Sequence, residues 1–262
     1  MRIAYRLGAP AVALAVLAGA LPARAETAET AGKVRTVVSL TFDDGDATHV
    51  AAARLLERRG MRGTFYVNSA TAGRAGKLTR KQVVALARAG HEVGGHTLTH
   101  VRLDELTRAE QRGQICDDRR RLLAWGLRPV TLAYPFGAVD AQAKKVARGC
   151  GYDAARTVGG LRQWSCSGCP ETEPRRPRDR YGIRTPGSVR EDTSLRQLRQ
   201  LVLNAERAGG GVLPLVFHRV CDDCGLYSVP PKVLDGFLAW LAARERRGTV
   251  VMTLRDAVGA RG

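Results

Sequence analysis

Val34-Arg35-Thr36-Val37-Val38-Ser39-Leu40 runs directly into Thr41-Phe42-Asp43-Asp44-Gly45, and the reading of this stretch decides the fold. A β-branched apolar run of this kind is a buried strand, and Gly45 ends it with a turn signal. Two adjacent carboxylates, Asp43 and Asp44, therefore arrive where a strand opens into a loop. That is the usual place for catalytic groups in an α/β architecture. Neighbouring residues on an extended chain point to opposite sides, so one carboxylate can bind a metal while the other stays free as a base. Taken alone, Asp-Asp-Gly reads first as a plain turn. The residues downstream reverse that reading.

Outward from this strand, strand and helix patterns alternate to the end of the chain. Helical spacing covers 47–59, with Val50, Ala53, Leu55 and Leu56 on one side and arginines on the other. A strand follows over 63–68, then a helix over 79–89 ended by Gly90, then a short strand over 91–95. A long helix opens at Asp104 or Thr107 and runs through Trp125, and strands are expected over 130–134, 152–158 and 181–185. Asp140 opens a helix to Gly149. Residues 193–208 read as helix, 212–217 as strand, 231–247 as helix and 250–254 as strand. Between the strands at 152–158 and 181–185 lies a long polar loop, 159–180, rich in Gly, Pro and Cys. Such a loop inside a compact domain is functional or cross-linked. Repeated strand–helix units with short links predict an α/β fold, a parallel sheet of seven to eight strands closing as a barrel. No internal repeat and no second domain is visible, and 262 residues suffice for one such domain.

The first 25 residues stand apart, with Arg2 and Arg6, an apolar run from Leu7 to Leu21, and Ala23-Arg24-Ala25. This reads as a secretory signal cut after Ala25, leaving 26–262 as the mature catalytic domain; a retained anchor is the alternative. The expected protein is secreted or wall-associated, monomeric and without a stable membrane anchor. Loss of Arg2, Arg6 and Arg24 lowers the formal charge of +17 by three, to +14. Such a surplus favours anionic partners, and anionic cell-wall polymers fit an exported protein. The cations are scattered with little aromatic interleaving, which argues against nucleic acid. Six cysteines in an exported chain suggest disulfides. Cys116 with Cys150 is the preferred pair. Cys166, Cys169, Cys221 and Cys224 form two Cys-x-x-Cys sets whose partners spacing does not fix, and a zinc ribbon is their alternative reading.

A second chemical cluster, His96-Thr97-Leu98-Thr99-His100, follows the third strand. Histidines four apart share a face in a helical turn, and at the same sheet end as Asp44 they complete a three-ligand set. Two imidazoles and one carboxylate leave a coordination position open, as in a catalytic zinc site. His91 reads as structural, and His49, on the first helix, as exposed.

Thr-Phe-Asp-Asp-Gly followed by His-Thr-x-x-His resembles the polysaccharide deacetylases, carbohydrate esterase family 4. Tyr134-Pro135-Phe136-Gly137 resembles that family's third motif, and Leu215-Val216-Phe217-His218 its last. The resemblance implies a distorted (β/α) barrel and metal-dependent removal of acetyl groups from an acetylated polysaccharide containing N-acetylglucosamine. It implies a divalent ion, Zn2+ first, with Co2+, Ni2+ or Mn2+ as alternatives, held by Asp44, His96 and His100. Asp43 would be the general base, His218 the acid that protonates the leaving group, and the Phe136 backbone N–H an oxyanion donor. A cation acidifies water and polarises a carbonyl, and a base and an acid then move protons in opposite directions. Imidazole suits the acid role because its reference pKa lies near neutrality.

Two departures stand out. Many members carry an Arg three residues before the aromatic of the third motif, where this chain has Ala133. Arg184 resembles an Arg that some extracellular members carry at the fourth motif, and is expected to pair with Asp43 instead. The family's Trp near that motif has no clear counterpart, Trp164 lying in the loop. Deacetylation of an N-acetylglucosamine polymer is the leading reading; acetyl-xylan esterase and a lapsed wall-binding protein are the others.

Overall fold

The protein is described by a computed structural model covering Met1, 34–163 and 166–261. The expected leader, with its cut after Ala25, and Trp164 lie outside the described residues. The described residues from Val34 onward form one compact unit. No helix of the described residues is long and apolar enough to cross a membrane.

The strands are β1 (Thr36–Phe42), β2 (Thr64–Val67), β3 (Glu92–Gly95), β4 (Thr131–Ala133), β5 (Ala154–Gly160), β6 (Ile183–Thr185), β7 (Gly211–Phe217), β8 (Arg219–Val220), β9 (Ser228–Val229) and β10 (Thr249–Val251). The helices are α1 (His49–Glu57), α2 (Arg80–Arg88), α3 (Arg108–Arg112), α4 (Asp118–Ala124), α5 (Ala141–Gly149), α6 (Leu195–Arg207), α7 (Pro231–Ala242) and α8 (Leu254–Ala257). Eight strands form one sheet in which every pairing is parallel. Every residue of β1 is buried, because Val37, Val38, Leu40 and Phe42 find apolar cover on both faces. β7 pairs with β1 from Thr36↔Gly211 to Phe42↔Phe217. On its other edge β1 takes β10 along its first half and β2 along its second, and β3, β4, β5 and β6 follow in order.

This is the α/β barrel of parallel strands that the alternation implied, distorted as the family resemblance implied. Its seam lies between β6 and β7, where no ladder forms among the described residues. The long loop fills it. Glu173 exchanges both backbone hydrogen bonds with Val212, at 2.9 and 2.7 Å, and Val189 N–H donates to Val216 O at 2.8 Å. The sequence pattern did not reveal this closure, since a non-repeating loop carries no strand signal.

The single helix expected from Asp104 or Thr107 to Trp125 is broken. A 3-10 turn at Leu103–Glu105, α3, a π-turn at Gly113–Asp117 and α4 replace it. Gly113 is a weak helix former, and a π-turn inserts a residue that rotates the helix beyond it. The buried Asp118 carboxylate then accepts from Ser69 N–H at 2.9 Å and from His96 N–H at 3.2 Å. Cys116, inside the π-turn, is disulfide-bonded to Cys150 at the end of α5, as preferred. Cys166–Cys169 and Cys221–Cys224 are local disulfides, so the zinc-ribbon alternative is set aside.

Below the site a buried acid ties three elements together. Glu92 accepts from Thr64 Oγ1 at 2.9 Å, Thr131 Oγ1 at 2.5 Å and the Arg255 N–H at 3.0 Å. Burial raises its carboxyl above the ordinary 4.5, against these hydrogen bonds. The folded state thus holds the proton more tightly than the unfolded state. Glu92's contribution to stability is complete below pH 4.5 and is lost as pH rises through the raised value. Glu92→Gln is expected to lose less thermal stability than the parent between pH 4.5 and neutrality. An unchanged slope in calorimetry would refute that assignment.

Candidate active site

Because the sheet is parallel, every candidate residue that follows a strand emerges at one end of the barrel. Asp43 and Asp44 follow β1, His96 follows β3, Phe136 follows β4 and His218 follows β7. These side chains line a cavity of about 390 Å³. Gly95 makes the approach possible: a Cβ there would collide with the Tyr152 hydroxyl and lie 2.8 Å from Asp118 Oδ2.

The ligand atoms of Asp44, His96 and His100 all lie within 4.8 Å of one another. Asp44 Oδ1 is 3.4 Å from His96 Nε2 and 3.1 Å from His100 Nε2. His96 Nδ1–H donates to Ala133 O at 2.7 Å, which leaves its Nε2 lone pair facing the carboxylate. Asp44 Oδ1 is buried without a hydrogen-bond donor. Lone pairs converging at such distances repel unless a positive charge sits among them, so two nitrogens and an oxygen suit a divalent cation. The field agrees. Burial lowers the His96 pKa, but Asp43 and Asp44 raise it further, above its ordinary value. Burial raises that of Asp44, yet His100 and His96 hold it well below the carboxylate range.

The two histidines do not converge by a helical turn, as their spacing had suggested. Residues 96–100 form a loop in which Thr97 has φ 66° and His100 φ 61°. His100 N–H donates to Thr97 Oγ1 at 3.1 Å, and Asn68 Nδ2 holds the His96 and Thr97 carbonyls. Asp44, at φ 72°, and Phe136, at φ 60°, are also left-handed. Non-glycine residues take that conformation at a cost, and its concentration here is typical of functional sites. The Phe136 ring stands edge-on to His100, centroids 4.6 Å apart, and is 60% exposed.

Asp43 is almost wholly buried. Its partner is Arg156, also fully buried, which makes an ion pair through Nη2 and lies 4.8 Å over the Tyr66 ring. Burial raises the Asp43 pKa, but Arg156, His96 and His218 together bring it below the ordinary value. The expected partner, Arg184, is elsewhere. Its Nε and Nη2 bind Glu173 at 2.7 and 3.0 Å. The reason is the seam: Glu173 is held there by its own backbone, and Arg184 on β6 is the cation beside it. Arg156 sits directly across from Ala133 in the β4–β5 register, so the guanidinium missing at 133 is supplied by the neighbouring strand.

His218 stands opposite, its ring 5.1 Å from Tyr227, with Nδ1 unpaired. Burial lowers its pKa against the pull of Asp43 and Asp44. His49, expected to be exposed, is fully buried between Phe42 and Phe65, and its Nε2–H donates to the His218 carbonyl at 2.7 Å. Burial drives the His49 pKa down to about 4, so the ring is neutral and keeps that donor at neutral pH. His91 is structural as expected, accepting from Gly63 N–H at 3.1 Å and meeting Glu57 at 3.1 Å.

Fold and site together define an α/β half-barrel with a His-His-Asp metal-type triad at the carboxyl ends of its strands. Residues 31–155 match the polysaccharide deacetylase family model. Over 123 residues it is 28% identical to YxkH of Bacillus subtilis, named for a polysaccharide deacetylase, covering 46% of this chain and 44% of that protein. Over 120 residues it is 33% identical to an uncharacterized protein of Streptomyces coelicolor, covering 45% and 46% respectively. The chain thus spans under half the length of these curated relatives. A family 4 acetyl xylan esterase from Clostridium thermocellum, in complex with a cobalt ion, shares the fold with TM-score 0.58 and 20% identity, over 86% of this chain and 91% of that one. Peptidoglycan deacetylase PdaC from Bacillus subtilis, solved as a mutant, does so with TM-score 0.54 and 18% identity, over 86% and 91%.

Proposed function

We propose that the protein is a secreted, metal-dependent deacetylase of an N-acetylglucosamine-containing polysaccharide. The observation that carries this reading is the Asp44–His96–His100 triad in one cavity with Asp43 and His218. A divalent ion bound by the triad, zinc by the chemistry of its donors, would acidify water and polarise the acetyl carbonyl. Asp43, kept charged by Arg156, accepts the proton of the attacking water. His218, carried by the end of β7 and held through its carbonyl by His49, delivers a proton to the leaving amine. The Phe136 backbone N–H serves as oxyanion donor beside His100. Exposed Phe136 and Tyr227 offer flat faces for a sugar ring at the cavity mouth.

Acetate release from chitooligosaccharide, peptidoglycan, poly-N-acetylglucosamine and acetyl-xylan tests the reading. Release from an N-acetylated polymer is expected, with loss on chelation and recovery on adding Zn2+. Chelator-resistant release would sink metal dependence, and release from acetyl-xylan alone would make the protein an O-acetyl esterase.

A further inference from the structure

The described residues also form a basic hollow of about 440 Å³, bordered by Arg175, Arg176, Arg180, Arg261 and Asp256. It lies at the other end of the barrel from the triad. Arg180 precedes β6 and binds Asp153, just before β5, at 3.0 Å. The second wall is α8, whose Leu254 N–H donates to Thr64 Oγ1 at the start of β2, at 2.8 Å. Arg180 Nη1 reaches across to Val258 O at 3.1 Å, so the two walls are tied together.

Four guanidiniums thus face one bordering carboxylate, Asp256, itself 3.6 Å from Arg255. Arg175, Arg176 and Arg261 are exposed, and none of them makes an ion pair among the described residues. All the cations bordering the hollow are arginines, whose forked donors suit phosphate oxygens in pairs. No aromatic side chain borders it for bases to stack on. None of the exposed large apolar residues belongs to it either, so it has no wedge for a lipid surface.

We infer that this hollow binds a hydrophilic phosphodiester polymer and tethers the protein to an anionic matrix, leaving the catalytic end free. The tether is independent of the reaction proposed above. Binding of the full chain to poly(glycerol phosphate) measures it, with polygalacturonate, dextran, single-stranded DNA and anionic vesicles as comparisons. Arg175→Gln/Arg176→Gln/Arg261→Gln is expected to weaken poly(glycerol phosphate) binding about tenfold or more and to make it less salt-dependent. Arg54→Gln/Arg88→Gln/Arg246→Gln removes the same charge from exposed sites elsewhere and is expected to change binding about twofold at most. Unchanged thermal unfolding shows that both triples fold. Equal losses in the two triples would make the binding a matter of net charge and overturn the site. No loss in the first triple, or a loss confined to polygalacturonate, DNA or vesicles, would overturn it as well.

Discussion

Asp43→Asn is expected to slow acetate release by about 10²- to 10⁴-fold while the metal content of the purified protein stays the same. Asparagine keeps the side chain's size but accepts no proton from water. Asp44, His96 and His100 are untouched, so metal analysis separates loss of the base from loss of the ion. The substitution also strips Arg156 of its counter-charge in a fully buried position. Breaking one partner of a buried pair costs about 3–5 kcal/mol, so the assay belongs well below the variant's unfolding transition. Parent-like acetate release from the folded variant would remove Asp43 from the chemistry and revive the wall-binding reading.

The second large effect concerns Arg156. Arg156→Ala is expected to destabilise the fold by about 3–5 kcal/mol, because Asp43 would be left buried and uncompensated. It is also expected to change the pH profile. Arg156 helps hold the Asp43 pKa below its ordinary value, so its removal lets that pKa climb, and the acid limb of the activity profile moves to higher pH. The strand register supplies a rescue. Ala133 lies directly opposite Arg156, and in-register residues of parallel strands share a face, so Ala133→Arg/Arg156→Ala returns a guanidinium to the same space. The double variant is expected to recover stability and to move the acid limb back. Failure of both, with the metal retained, would mean that Arg156 acts only as packing over Tyr66.

Much of this molecule could be read along the chain because its signals are local. A buried β-branched run, turn residues and helical spacing report backbone conformation within a few residues, and their alternation implied the parallel barrel. Parallel strands then send every post-strand motif to one end, which is why Asp44, His96 and His100 could be grouped in advance. Cys116 with Cys150 also came through correctly.

Tertiary structure alone chose the partners, because an ion pair depends on register and on which loop fills a gap. Arg184 was the plausible match for Asp43 by motif, yet Glu173 of the seam loop binds it. Arg156 did leave a sign: one cation in the predicted buried strand 152–158 needs a counter-charge, but only the β4–β5 register shows that Asp43 provides it. His49 looked exposed because a helix's inward face is set by the sheet it covers, here Phe42 and Phe65. Sequence determined which residues reach the carboxyl end of the barrel's strands; the three-dimensional closure decided how each is charged, held and aimed, since those properties arise from neighbours distant along the chain.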